Sequence, residues 1–121
     1  TLAGRRCHFD LWEHKYDDSM PLPLEEARDK YGDVLKRSYT YKALNRLIQG
    51  SAADMTKLAM LGLWEEGIVP HVQVHDEVDI SIEDDEQAAK VSRIMENCVE
   101  LAVPLVVDTE LGASWGETEE I

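Results

Sequence analysis

Apolar residues recur at steps of three and four between residues 40 and 66. Tyr41, Leu44, Ile48, Ala52, Met55, Leu58 and Leu61 share that stripe, which predicts one long amphipathic helix with the stripe in the core. Ser38 or Thr40 is suited to cap its start and Gly67 to end it. Gly50 interrupts the pattern at a cost of about 1 kcal/mol against alanine. It marks either the close approach of another backbone or a tolerated strain. Beyond the helix, "VQVHDEVDIS" (72–81) changes period. Val72 and Val74 precede a His-Asp-Glu triplet, and Val78, Ile80 and Ile82 follow it, so a strand pair with the look of a buried hairpin is predicted. Asp84, with Gln87 three residues on, forms a capping-box pattern. It opens a second helix to about Ala102, with Val91, Ile94, Met95, Cys98 and Leu101 on its apolar face and Pro104 as its stop. "LVVDTEL" reads as a last strand and "GASWGETEEI" as a tail.

The first 39 residues are less regular. "TLAGRRCHFDLW" suits a turn into a short strand, and a short helix is predicted from Leu24 to about Tyr31, ended by Gly32. Residues 11–39 are expected to be a connecting arm or insertion. The order helix, hairpin, helix, strand predicts an α+β fold: an antiparallel sheet packed with two main helices. A chain of 121 residues fits one domain.

Charge changes this picture in two ways. Twelve basic against 25 acidic residues give a net charge of −13, whose average field repels nucleic acid and anionic membranes. The distribution is uneven, however. Lys36, Arg37, Lys42, Arg46 and Lys57 face only Asp54 between residues 36 and 57, and Arg5 and Arg6 add a basic pair. The two cysteines, Cys7 and Cys98, are far apart without C-x-x-C spacing, which suggests free thiols in a reducing compartment. Cys7, His8 and His14 lack a second ligand pair at zinc spacing. No run approaches a membrane span, and Thr1 in place of Met suggests a cut product or part of a longer chain. Trp12, Trp64 and Trp115 are expected to pack, and Met60 to join Tyr41 and Met55 in the core.

Three constellations carry candidate chemistry. At the hairpin tip, Asp76 offers a hard oxygen ligand suited to Mg²⁺, which takes one or two carboxylates plus substrate phosphates. Glu77 faces the opposite side of a regular strand and is better suited to an outer role. His75 can donate to a phosphate or sugar oxygen. A solvated turn is the competing reading, since Asp is common in turns. On the long helix, Asn45 and Gln49 stand at i and i+4 with Lys42 and Arg46 beside them. Such a face can touch minor-groove acceptors with its amides and phosphates with its cations; a plain solvated polar face is the alternative. "TLAGRR" sets Arg5 and Arg6 after a glycine, where they could clamp phosphate or simply carry surface charge.

In this order the three segments resemble the C-terminal part of family A DNA polymerases, the DNA polymerase I class. "TLAGRR" is similar to the family's T-x-x-G-R-R segment, "NRLIQGSAADMTKLAM" to its N-x-x-x-Q-G-(S/T)-A-A-D helix, and "VQVHDEV" to its motif C. "MENCVELAVPLVVDTELGASWGE" resembles the closing helix, strand and tryptophan, and the agreement runs from Thr1 to about Glu117. "YKALNRLIQGSAAD" looks most like phage-encoded members, so the cytoplasm of a bacterial host is the expected location. The resemblance implies Asp76 as the ligand of catalytic Mg²⁺, Glu77 as its acidic neighbour, and His75 beside the primer terminus. It implies Asn45 and Gln49 at the minor groove of primer-template DNA, Arg5 and Arg6 at the DNA backbone, and deoxynucleoside triphosphates as substrates. Motif A, which carries the second metal-binding aspartate, and the fingers helix have no match here. The chain alone is therefore expected not to polymerise DNA and to need an upstream polymerase portion, in the same chain or as a split subunit. A non-catalytic remnant and an acidic interaction module are the alternatives.

Overall fold

The computed structural model describes residues 1–120 and divides them into two compact units, one from Thr1 to Gly50 and one from Ser51 onward.

In the first unit, the expected arm is folded. Strands β1 (Leu11–His14), β2 (Leu22–Pro23) and β3 (Leu35–Arg37) form an antiparallel sheet of order β2-β1-β3, with Trp12 opposite both Leu22 and Arg37. Helix α1 (Leu24–Tyr31) packs on the three strands and buries Ala27 completely. Its bounds match the sequence expectation. Glu25 and Glu26 lie in its first turn and Arg28 and Lys30 in its last, the charge order a helix dipole favours. Across the sheet Lys36 pairs with Glu13 at 3.4 Å. The Arg37 guanidinium lies over the Trp12 ring and donates to the Phe9 carbonyl at 2.8 Å.

Helix α2 (Ala43–Glu65) is entered through a 3₁₀ turn at Thr40–Lys42. Neither Ser38 nor Thr40 caps it. Tyr39, left-handed at φ 62°, holds the cap position of the turn, and Ser38 is fully buried with its Oγ lacking a hydrogen-bond partner among the described residues. The expected core stripe is also displaced. Tyr41, Leu44 and Ile48 are 78%, 67% and 56% exposed, Met55 and Met60 are half-buried, and the buried positions of α2 are Ser51, Asp54, Ala59 and Leu63. Periodicity identifies a helix, but the face it buries is decided by what packs there. Small side chains at Ser51 and Ala59 permit that approach, whereas the Tyr41–Ile48 face is left to solvent.

In the second unit α2 ends in a Schellman motif. Ile68 N–H donates to the Leu63 carbonyl and Gly67 N–H to that of Trp64, at 2.9 and 3.0 Å. Gly67 supplies the left-handed residue the motif needs (φ 77°), and Ile68 and Leu63 are buried together at its end. Strands β4 (Val72–Val74) and β5 (Glu77–Asp79) form the expected hairpin, but Val72 and Val74 are exposed, so it is not a buried one. Helix α3 (Asp85–Glu96) is capped as anticipated: Asp84 Oδ1 accepts from Gln87 N–H at 2.8 Å, and Gln87 Oε1 from Glu83 N–H at 2.7 Å. It stops six residues before Ala102, because the Asn97 side chain donates to the Arg93 carbonyl at 2.8 Å and takes an acceptor at the helix end. A Cβ on Gly62 would lie 3.0 Å from Ile94 Cγ2, which sets how closely α2 and α3 pack.

The last strand begins later than predicted. β6 (Glu110–Gly112) pairs with β7 (Thr118–Glu120), so much of the expected tail is the return arm of a hairpin; Ile121 lies outside the described residues. Residues 105–108 keep an apolar pattern without a ladder partner among the described residues. Trp64 and Trp115, expected to pack, are 64% and 68% exposed; nothing among the described residues covers them. The class is α+β, with its strands in three antiparallel sheets among the described residues.

Candidate functional site

Val74 and Glu77 are the last cross-strand pair of β4 and β5, so His75 and Asp76 alone make the turn. His75 has φ 56°. Two-residue hairpins favour positive φ because it matches strand twist, and glycine is the usual occupant. A histidine there tolerates strain of about 1 kcal/mol. The Gln73 side-chain amide donates to the His75 carbonyl and braces the turn. The result is a short, fixed tip on which His75, Asp76 and Glu77 are all exposed. The carboxylate oxygens of Asp76 and Glu77 are the hard donors a Mg²⁺ ion prefers. Among the described residues no group of three or more His, Cys, Asp or Glu is arranged to hold a metal ion. The donor type therefore fits such a cation, and the donor number fits only a site completed by other ligands.

The amide face lies in the first unit. Asn45 and Gln49 are exposed on consecutive turns of α2. The cations grouped with them are largely engaged. Arg5 Nη2 donates to the Gly50 carbonyl at 2.9 Å. Arg46 Nη1 donates to Cys7 Sγ at 3.2 Å, with its guanidinium 4.9 Å from the centre of the Phe9 ring. Lys42 Nζ sits over Tyr39 and Tyr41, 4.7 and 5.6 Å from the ring centres. Arg6 is exposed. The segment Thr1–Phe9 thus runs along α2, and Gly50 marks the crossing: a Cβ there would lie 2.9 Å from Thr1 Cγ2 and 3.5 Å from Arg5 Nη2. From the sequence Gly50 marked either the close approach of another backbone or a tolerated strain; what approaches it here is the side chains of Thr1 and Arg5, and no local pattern marks Cys7 and Phe9 as partners of Arg46.

Elsewhere in the second unit a cavity of about 450 Å³ is lined by His71, Asp79, Ser81, Glu110, Trp115 and Thr118 among others. Thr118 Oγ1 donates to Glu110 Oε2 at 2.5 Å. Titration is perturbed at two groups of the second unit. The Lys90 ammonium, 2.8 Å from Glu66 Oε2, hydrogen-bonds and attracts that carboxylate and holds it below the ordinary glutamate value. Burial pushes the Cys98 thiol up; its Sγ donates to the Met55 carbonyl at 3.5 Å. No described helix is long and apolar enough to cross a membrane.

The chain is similar to longer proteins. It is 42% identical to a DNA-directed DNA polymerase of Pseudomonas phage M6 over 118 residues, covering 98% of this chain and 15% of that protein. It is 42% identical to DNA polymerase I of Deinococcus radiodurans over 126 residues (98% and 12%). With DNA polymerase I of Lactococcus lactis subsp. lactis it shares 36% identity over 112 residues (79% and 13%). The chain thus spans less than a sixth of the length of each of these relatives. No solved structure matches it at a significant level. The model of DNA polymerase family A matches residues 1–117, and the chain belongs to that family.

Proposed function

We propose that this chain is the C-terminal part of a DNA-directed DNA polymerase, and that it supplies the motif C aspartate and part of the primer-template contact. The observation that carries the reading is the V-H-D-E hairpin. Its two-residue turn puts Asp76 at an exposed, braced tip in a chain matched to family A over residues 1–117.

Asp76 would ligate Mg²⁺, with Glu77 as the neighbouring acid. When bound, the metal supplies charge stabilisation to the attacking and leaving oxygens of nucleotidyl transfer. The chain's own residues bind and orient. His75 donates to a phosphate or sugar oxygen at the primer end. Asn45 and Gln49 present amides to the acceptors common to the minor-groove edges of the base pairs, which tests pairing geometry without reading sequence. Arg5, Arg6, Lys42 and Arg46 form the basic surround of that face. The substrates are deoxynucleoside triphosphates and primer-template DNA. The second metal-binding aspartate and the triphosphate-binding fingers residues belong to an upstream polymerase portion, so the 121 residues alone are inactive. Similarity to a phage polymerase supports action in the cytoplasm of an infected bacterium.

The test is primer extension with Mg²⁺ and all four triphosphates, by the chain alone and by the chain completed with its upstream portion. Extension only when completed, abolished by Asp76→Asn while duplex binding persists, is expected. Extension that survives Asp76→Asn refutes the metal assignment. Silence of the completed enzyme favours a non-catalytic remnant.

A further inference from the structure

Of the basic side chains between Thr1 and Gly50, Arg6 alone has no partner among the described residues. Its neighbours on both sides are fastened to α2. Arg5 is held by the Gly50 carbonyl, and Cys7 by Arg46, one helical turn earlier. Phe9 extends the second anchor, because the Arg46 guanidinium stacks on its ring while one edge donates to the Cys7 sulfur. A planar guanidinium can serve a ring with its face and an acceptor with its edge at once. Swinging Arg46 out to meet a phosphate would release both Cys7 and Phe9.

We propose that Arg46 is a positioning residue rather than a phosphate ligand. It clamps the Cys7–Phe9 segment to α2 and so fixes Arg6 as the cation presented beside Asn45 and Gln49. This rests on the reading that the amide face meets the primer-template duplex.

The experiment measures primer-template affinity of the completed polymerase as a function of salt. The proteins compared are the wild type, Arg6→Met, Arg46→Met, Phe9→Leu and the Arg46→Met/Phe9→Leu double variant. Methionine is a good helix former at the exposed Arg46 site, and Phe9→Leu opens the same clamp from the other side without touching a charge. Arg6→Met should lower the salt slope by about one, the loss of one phosphate contact. Arg46→Met and Phe9→Leu should each weaken binding by about two- to fivefold, the range of an exposed cation–π contact, with the slope unchanged. The double variant should be no worse than either single one, since both remove the same clamp. A slope lowered by Arg46→Met together with a silent Phe9→Leu makes Arg46 a direct phosphate ligand and overturns the proposal, while the duplex face stands. Absent or salt-independent binding by the wild type removes the duplex face and the proposal together.

Discussion

Gly50→Ala sets helix propensity against packing at one atom. Inside an exposed helix alanine is favoured over glycine by about 1 kcal/mol, so a propensity argument alone predicts stabilisation. The structure puts the new Cβ 2.9 Å from Thr1 Cγ2. That methyl is not free to rotate away, because Thr1 Oγ1 on the same carbon accepts the Arg5 N–H at 3.1 Å. Relieving the clash therefore moves the Thr1–Arg5 turn and with it the Arg5 bond to the Gly50 carbonyl. Each of these exposed hydrogen bonds contributes about 1 kcal/mol. Two such losses outweigh the gain, and the variant should be neutral to about 1 kcal/mol less stable. Urea denaturation gives the stability, and primer-template affinity of the completed polymerase gives the consequence for Arg6. A stabilisation of the full ~1 kcal/mol that propensity allows, with affinity unchanged, would show that the segment does not bear on α2 as described.

Asp84→Ala should cost about 1 kcal/mol and Asp84→Ser much less, because either oxygen can accept from Gln87 N–H and a methyl cannot; urea midpoints at constant slope decide it. Lys90→Met should let Glu66 titrate at the ordinary glutamate value of 4.5, followed by the NMR shift of its carboxyl carbon. Because the folded value is depressed, the wild-type advantage is present above pH 4.5 and disappears as pH falls through the folded value; a gap that widens in acid would contradict the pairing. Iodoacetamide should label exposed Cys7 before Cys98, whose burial holds its thiol in the unreactive protonated form; equal rates would refute that burial.

Features governed by near neighbours were legible in the sequence. The bounds of α1, the Asp84–Gln87 cap and a hairpin tip within His75–Glu77 each follow from chemistry within a few residues, although the ladder takes up Glu77 and leaves only His75 and Asp76 in the turn. Features governed by distant partners were not. The Tyr41–Ile48 stripe has the right period for a core face, but burial went to Ser51, Asp54, Ala59 and Leu63, where neighbours come close. Residues 105–108 have strand composition but no ladder partner among the described residues, so the paired strand starts only at Glu110. The same distinction runs through the candidate site. Asp76 at a tip could be read from spacing, whereas the 39-residue separation of Cys7 and Arg46 could not.

That separation alters what the basic strip means. Counted along the sequence, Arg5, Arg6, Lys36, Arg37, Lys42 and Arg46 look like a phosphate-binding run that offsets a net charge of −13. In the fold, Lys36 is paired with Glu13, Arg37 with Trp12 and the Phe9 carbonyl, Lys42 with two tyrosines, Arg46 with Phe9 and Cys7, and Arg5 with Gly50. Each of these contacts must be kept or exchanged when a duplex approaches, and an exchanged contact returns only the difference between two interactions. Counterion release counts phosphates neutralised, not basic residues in the sequence. The salt dependence contributed by this unit should therefore be close to that of Arg6 alone, with orientation left to the uncharged amides of Asn45 and Gln49.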